Sequence, residues 1–309
     1  MKWTKAVNTN LWGIDLGGTK VEGVVLRSAA NPEVLFRDRL PTESDQGYDH
    51  ILDQIQKLVE KMINTIGYKP LRMGIGTPGT VDLELGTIKN SNTACLNDRL
   101  FREDLEARLG IELIMANDAN CFALAETNMG IVKEKYPNAK VVFGVIMGTG
   151  VGGGVVVNGK IINGLHGIGG EWGHNFLDES GGPCYCGKSG CVEMVLCGPA
   201  LEKFYYSKSG IQKSLKEIVR LHQTGSDAVA TQTIERLTHF FGLALSVVIN
   251  ILDPDVIAIG GGVGNIENIY GEGVESLKKY IFNNRLDTPI LKPKLGDSAG
   301  VFGAAFLTN

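Results

Sequence analysis

The chain has 309 residues, 43% of them hydrophobic and 21% charged, with a net charge of −4, which suggests about two domains of roughly 150 residues each in an ordinary globular protein. No basic excess points to nucleic acid or to an anionic membrane as partner, and no apolar run reaches the roughly 18 residues of a membrane span. The opening MKWTKAVNTNLWGID lacks a signal-peptide core, so the expected location is the cytoplasm.

In chain order, LWGIDLGGTKVEGVVLR (11–27) reads as a hairpin, with an apolar run ending at Asp15, a Gly-Gly turn and a Val-rich return. Residues 48–66 carry Ile51, Ile55, Leu58, Val59, Met62, Ile63 and Ile66 at helical spacing. LRMGIGT (71–77) reads as a strand ending at a Pro78-Gly79 turn, 99–109 as a short amphipathic helix, and IELIMAND (111–118) as a strand with a polar end. A further helix begins at 121–125. VVFGVIMGTG (141–150) is a strand running into a glycine turn, and GGGVVVNGKII (152–162) is two strands about an Asn158-Gly159 turn. Residues 228–252 form a long helix, VIAIGGGVG (256–264) a strand into a third glycine turn, and SAGVFGAAFL the last helix. Each half therefore opens with a strand, a glycine turn and a strand, a weak internal repeat. Two such halves facing each other would put both turns at one cleft.

Glycine is the compositional outlier, 41 residues or about 13% against an average near 7%. The clusters Gly17-Gly18-Thr19, Gly148-Thr149-Gly150 and Gly260-Gly261-Gly262 offer backbone N–H donors with no side chain in the way, as a phosphate chain requires. Any one of them alone is a hairpin turn; three across both halves, with Asp15 leading the first, favour a nucleotide. Two pattern matches are rejected. Gly148-x-Gly150-x-x-Gly153 is followed by strand rather than the helix a dinucleotide fingerprint needs. Gly182-x-x-x-x-Gly187-Lys188-Ser189 has no apolar strand before it and carries Pro183, Cys184 and Cys186 inside its loop.

Asn117-Asp118 ends a strand and precedes a helix, where an Asp commonly serves as N-cap; the other reading is a general base toward a hydroxyl. His174, Cys184, Cys186 and Cys191 form a one-His, three-Cys set suited to tetrahedral zinc, closed and therefore structural. Cys95, Cys121 and Cys197 are scattered and read as packing residues.

The DLGGTK turn (15–20), the AND motif (116–118), the GTGVGGG turn and the GH…CxCGxxGCxE pattern together resemble the ROK family of sugar kinases and repressors over essentially the whole chain. The resemblance implies an α/β, two-lobed, actin-like sugar kinase fold (ribonuclease H-like) with a central cleft. It implies a smaller lobe from 1–118 plus 298–309 and a larger one from 119–297. Asp118 would be the base in ATP-dependent phosphorylation of a sugar. Gly79, Asn92, Asn117, Glu171, His174 and Glu193 would contact the sugar, with Asn90 a further neighbour. Asp15, Gly17, Gly18, Thr19 and Lys20, with the second and third glycine turns, would serve ATP and Mg²⁺. His174, Cys184, Cys186 and Cys191 would hold zinc, and a homodimer is expected from relatives. Repressors of the family carry an N-terminal DNA-binding domain, for which a first strand near residue 11 leaves no room, so an enzyme is expected before a regulator or a sensor.

The sugar is expected to be an unmodified hexose phosphorylated at O6, fructose or mannose first and glucose next. Hydroxyl partners are plentiful, whereas an acetamido group needs an apolar niche and an amide partner that the sequence does not identify. The GEWGHN, KNSNTACLN and PCYCGKSGC segments resemble the fructokinase branch, and NDANCFALAE (117–126) the N-acetylglucosamine kinase branch.

Overall fold

Alternating apolar positions and glycine turns produce two five-stranded sheets of one topology, seen in a computed structural model that describes residues 9–82, 84–91 and 93–309. The elements in chain order are β1 (Leu11–Leu16), β2 (Lys20–Leu26), β3 (Val34–Pro41), α1 (Tyr48–Ile66), β4 (Arg72–Thr77), β5 (Thr80–Val81), β6 (Ile88–Lys89), α2 (Phe101–Leu109), β7 (Glu112–Asn117) and α3 (Asp118–Asn128). Then follow α4 (Ile131–Lys135), β8 (Val141–Met147), β9 (Val151–Val157), β10 (Lys160–Ile161), α5 (Glu193–Leu196), α6 (Gly198–Ser209), α7 (Leu215–Gln223), α8 (Ala228–Leu252), β11 (Val256–Gly260), α9 (Glu272–Leu277), β12 (Ile290–Leu291) and α10 (Ala299–Phe306).

The chain divides into two units. The first holds the described residues up to 129 together with 163–169 and 297–309; the second holds 130–162 and 170–296. The first sheet has the order β3-β2-β1-β4-β7 and the second β10-β9-β8-β11-β12. In each, the first three strands form an antiparallel meander and the last two join parallel to its first strand. The internal repeat read from two glycine turns is thus a repeat of whole-sheet topology. The sequence reading does not include β3, α6, α7 or α9; α7 did carry a signal, with Leu215, Ile218, Val219 and Leu221 at helical spacing behind a Ser214–Glu217 capping box.

In the first unit α1 buries Ile51, Leu52, Ile55, Leu58, Val59 and Met62 against Trp12, Ile14, Val25 and Ile75 of the sheet. In the second, α8 is capped by Asp227, whose carboxylate accepts from Val229 N and Ala230 N at 2.8 and 2.9 Å, and buries Leu237, Phe241 and Leu245 beside Val145 and Ile257. By length and average hydropathy α8 passes as a membrane-spanning candidate, although no uninterrupted apolar run marks it in the sequence; 56% of its most apolar stretch is buried within the protein.

The closest packing in the first unit is backbone against backbone. A Cβ on Gly13 of β1 would stand 2.3 Å from Ala305 N, one on Gly74 of β4 1.7 Å from Ala304 O, and one on Gly303 of α10 1.7 Å from Cys121 O. Here α10 lies against β1 and β4 on one side and α3 on the other with no side chain between them. This packing assigns α3 to the first unit, whereas the sequence reading drew its boundary at residue 118.

Replacing Gly303 with Ala should therefore force α10 and α3 apart. The expected loss is at least the roughly 1–3 kcal/mol typical of overpacking, read as a lower midpoint in urea unfolding or as failure to accumulate soluble protein. An unchanged midpoint would show that the contact is not required.

Candidate active site

The hairpin of β1 and β2 places Asp15 beside its turn. Gly17 N donates to Lys20 O at 2.9 Å, Thr42 N donates to Thr19 O at 3.0 Å, and Thr42 Oγ1 donates to Gly17 O at 2.7 Å. These bonds leave the exposed Gly18 and Thr19 at the tip. Lys20 turns back to Glu22 at 3.3 Å.

Asp15 is crowded by backbone. Cβ atoms on Gly76 and Gly300 would stand 3.2 and 2.6 Å from its carboxylate oxygens, and the Gly76 position also faces Cys121 Sγ at 3.1 Å. Glycine at both positions is what admits the carboxyl. Burial, and next the charge of Asp118, raise the Asp15 pKa to about 7, with Glu22 adding to the rise and Lys20 opposing it. Burial also raises Asp118, against a lowering by the Ala119 N–H, which donates to Asp118 Oδ1 at 2.8 Å. Behind them Glu22 is 1% exposed. Its own burial would raise its pKa, but Arg37, whose Nε donates at 2.7 Å, and Lys20 hold it below the usual range. Ser298, just before α10, donates to Glu22 at 3.2 Å and accepts from Arg37. Sequence reasoning passed over this ion cluster because its members lie 276 positions apart at the extremes.

Asp118 is the first residue of α3, and the capping role falls one position earlier: Asn117 Oδ1 accepts from Asn120 N at 2.8 Å. The N-cap explanation for Asp118 is therefore taken by its neighbour. Gly79 has φ +83°, and a Cβ there would stand 2.6 Å from Lys89 O, so only glycine fits. Asn90 follows with φ 59°, and Asn92 lies outside the described residues.

Also in this unit, a small open recess of about 50 Å³ is lined by Thr77, Val81, Met115, Asn117, Asn120 and Asn163 among others, well below the roughly 300–1,000 Å³ of whole small-ligand sites. Its floor is the ends of β4 and β7. Its rim is the 163–169 segment, where a Cβ on Gly167 would stand 2.8 Å from the Thr80 methyl. Asn120, Met115 and Asn163 were not singled out in the sequence; the Asn117–Asn120 spacing of three, which puts both on one helix face, was the available signal.

In the second unit, the second and third glycine turns end neighbouring parallel strands β8 and β11. A Cβ on Gly261, at φ +84°, would stand 2.2 Å from Met147 O, and one on Gly148 3.8 Å from Gly262 N. The start of α6 joins them through Gly198 N donating to Gly148 O at 2.8 Å. Thr149, Gly261 and Gly262 are exposed, so this paired turn can meet a phosphate chain. After Gly153 the chain continues as β9, as expected from rejecting the dinucleotide fingerprint.

Glu193, expected at the sugar, accepts from Val151 N at 2.9 Å through Oε2 and stands where a Cβ on Gly150 would collide. It therefore braces the second glycine turn. Glu171 immediately precedes the short turn Trp172–His174.

That turn leads into the cysteine loop. Cys184 Sγ lies 3.6 Å from His174 Nδ1, and Cys186 Sγ lies 3.6 Å from Cys191 Sγ. The four donor atoms all fall within 4.8 Å of one another. A tetrahedron with metal–sulfur bonds of about 2.3 Å has edges of about 3.8 Å, so the four donors fit a closed zinc site. His174 Nε2 meets Tyr185 OH at 3.0 Å, the outer partner that orients a ligating imidazole. The rejected P-loop match lies within this loop, where Pro183 and Ser189 form a bridge.

The ROK family pattern matches residues 11–309. Curated relatives include the N-acetyl-D-glucosamine kinases of Photobacterium profundum and Aliivibrio fischeri. Each is 35% identical over 306 residues, which is 96% of this chain and 98% of the relative. Among solved structures, the ROK hexokinase from Thermus thermophilus superposes with a TM-score of 0.87 at 30% identity, over 97% of both chains. A ROK family glucokinase from Streptomyces griseus in complex with glucose and AMPPNP gives 0.77 at 25% identity, over 96% of this chain and 98% of that one.

The Asp15–Asp118 pair has a consequence for stability. A carboxyl raised to about 7 in the folded protein, against about 3.9 unfolded, contributes stability that is complete below pH 4 and lost as pH rises through 7. Asp118→Asn removes one like charge and lowers the Asp15 pKa. Without added divalent cation, the variant should gain stability over the wild type as pH is raised from 5 to 8, measured by thermal unfolding. A difference independent of pH would show that the two carboxyls do not interact.

Proposed function

The chain belongs to the ROK family and is a sugar kinase, and on that premise we propose that it transfers the γ-phosphoryl group of ATP to the 6-hydroxyl of an N-acetylhexosamine, N-acetyl-D-glucosamine first. The observation that carries the choice of sugar is the identity of 35% to N-acetyl-D-glucosamine kinases along nearly the full length of both chains. This moves the first candidate from the unmodified hexoses favoured by the hydroxyl-binding residues. Glucose stays next, supported by the match to the ROK hexokinase.

Asp118 accepts the proton of the attacking hydroxyl as the new P–O bond forms and ADP leaves. Its raised pKa makes it a better proton acceptor than an ordinary carboxylate. Asn117, fixed by its cap to α3, and Gly79 hold the sugar beside it, with Asn92, Glu171, His174 and Glu193 further contacts in this reading. The exposed turns at Gly17–Thr19, Gly148–Gly150 and Gly260–Gly262 receive the nucleotide through backbone N–H groups. Asp15 suits Mg²⁺: burial and then the charge of Asp118 raise its pKa, a divalent cation held there would relieve the repulsion, and it would supply charge neutralisation at the phosphates. His174, Cys184, Cys186 and Cys191 suit a structural zinc ion, which holds the loop between Glu171 and Glu193.

Asp118→Asn should keep sugar and ATP binding while lowering turnover by about 10²–10⁴-fold; equal turnover in a coupled ADP-release assay would refute the base. In the same assay N-acetyl-D-glucosamine should give the highest kcat/KM among fructose, mannose, glucose and the two acetylated hexosamines. A larger value for any unmodified hexose would reverse the choice of sugar.

Purified protein should contain about one zinc ion per chain, by metal analysis. Cys186→Ala should lose it, unfold at lower temperature and raise the sugar KM. Full activity in a zinc-free preparation would rule out the site.

A further inference from the structure

In the second unit, segment 191–198 ties the cysteine loop to the second glycine turn, and one carboxylate sits at the join. The turn at 148–150, between β8 and β9, closes on itself, with Gly148 N donating to Gly150 O at 2.9 Å. The segment meets the turn on both sides. Gly198 N donates to Gly148 O at 2.8 Å, and Glu193 Oε2 accepts from Val151 N at 2.9 Å. Gly150 admits the carboxylate, since a Cβ there would stand 2.6 Å from the same oxygen. Gly148 N and Val151 N are therefore engaged inside the unit. Thr149 N and Gly150 N have no partner among the described residues, and these two remain for a phosphate.

The other end of the segment belongs to the loop. Cys191 supplies one of the four metal-donor atoms and forms a bridge with Phe176, while Val192 N donates to Asn175 O at 2.9 Å. Glu193 thus follows directly on backbone fixed beside His174. Its Oε2 is engaged with the turn, so Oε1 can accept from a sugar hydroxyl, as the proposed function asks of this residue. A carboxylate is a rigid plane. A hydroxyl that fixes Oε1 also fixes Oε2, and a phosphate that orders the turn fixes the carboxylate from the other side. Whichever ligand binds first has already ordered the group the second one needs, and by linkage the effect is equal in both directions.

We infer that Glu193 is a positioning residue for the nucleotide as well as a sugar contact: its carboxylate holds residues 148–151 in the shape that receives phosphate, and it couples the binding of sugar to the binding of ATP. The inference rests on the kinase reading and deepens it. A backbone N–H bonded to a charged acceptor is among the stronger hydrogen bonds, so its loss is measurable as nucleotide affinity.

The test measures binding of AMP-PNP with Mg²⁺ by calorimetry for wild type, Glu193→Ala and Glu193→Gln. Each is titrated without sugar and at saturation with the sugar of highest kcat/KM. Wild type should bind AMP-PNP at least about fivefold more tightly when sugar is present. Glu193→Ala should weaken sugar-free AMP-PNP binding at least about tenfold and bring the ratio with and without sugar to within about twofold of one. Glu193→Gln keeps an oxygen for Val151 N, so it should hold sugar-free AMP-PNP affinity within about threefold of wild type while raising the sugar KM. Zinc content and circular dichroism are read for each variant. Should Glu193→Ala lose zinc or fail to fold, Glu193→Asp, which keeps the charge but withdraws it from Val151 N, takes its place with the same expected losses. Sugar-free AMP-PNP affinity unchanged by the substitution leaves Glu193 a sugar contact alone and overturns the positioning role. Tightening by sugar of equal size in wild type and variant, or none in wild type, overturns the coupling. Wild type that binds AMP-PNP yet phosphorylates no sugar of the panel overturns the kinase reading and this inference with it.

Discussion

Much of the first unit depends on one close approach, the contact of α10 with β1, β4 and α3 through Gly13, Gly74 and Gly303. Side chains at these positions would hold the helix farther away. With the helix seated on bare backbone, three things follow. Gly300 comes to rest against the Asp15 carboxylate. Ser298 reaches the Glu22–Arg37 pair. And α3 is held with its first residue, Asp118, near enough to Asp15 for their charges to interact. The last segment of the chain thus positions two acids that lie in its first half.

The acid pair is strained in the sense that matters for a metal-assisted transfer. Burial raises the pKa of both carboxyls, and for Asp15 the charge of Asp118 adds to the rise. The charge of Asp118 on Asp15 would favour a divalent cation, and burial gives the proposed base its proton affinity. Glu22 shows the contrasting solution: its side chain is buried too, yet it is ionised because Arg37 and Lys20 meet it directly. Two carboxylates flanking the same turn, Asp15 and Glu22, are therefore tuned in opposite directions by whether a cation is supplied by the chain itself.

In the second unit the cysteine loop and the glycine turn are mechanically joined. Glu193 follows Cys191 by two residues and grips Val151 N, while His174 is turned toward Cys184 and Tyr185. A metal that organises the loop consequently organises the backbone of Gly148–Gly150 as well. The carboxylate that sequence patterns place at the sugar already has one oxygen committed to this brace.

Local chemistry made much of this legible in the sequence. Period-2 and period-3.6 apolar spacing marked β1, β2, α1, β4, β7, β8, β11 and α8, and turn glycines marked their ends. The His and three Cys stand close together between 174 and 191 and point to a metal set by residue type, a reading the family pattern strengthens. What the sequence could not carry was anything made by residues distant along the chain. The glycines of β1, β4 and α10 looked like ordinary small residues until the helix was seated on them. By spacing alone Asp118 reads as a cap and only the family pattern makes it the base; the structure shows Asn117 holding the capping bond. Asn120, Val81, Met115 and Asn163 belong to four separate segments, each ordinary when read alone. Hydrophobic period and metal-ligand type are encoded by neighbours, so they can be read in order along the chain; a recess and a raised pKa are properties of what folding brings alongside, and only the tertiary structure decides them.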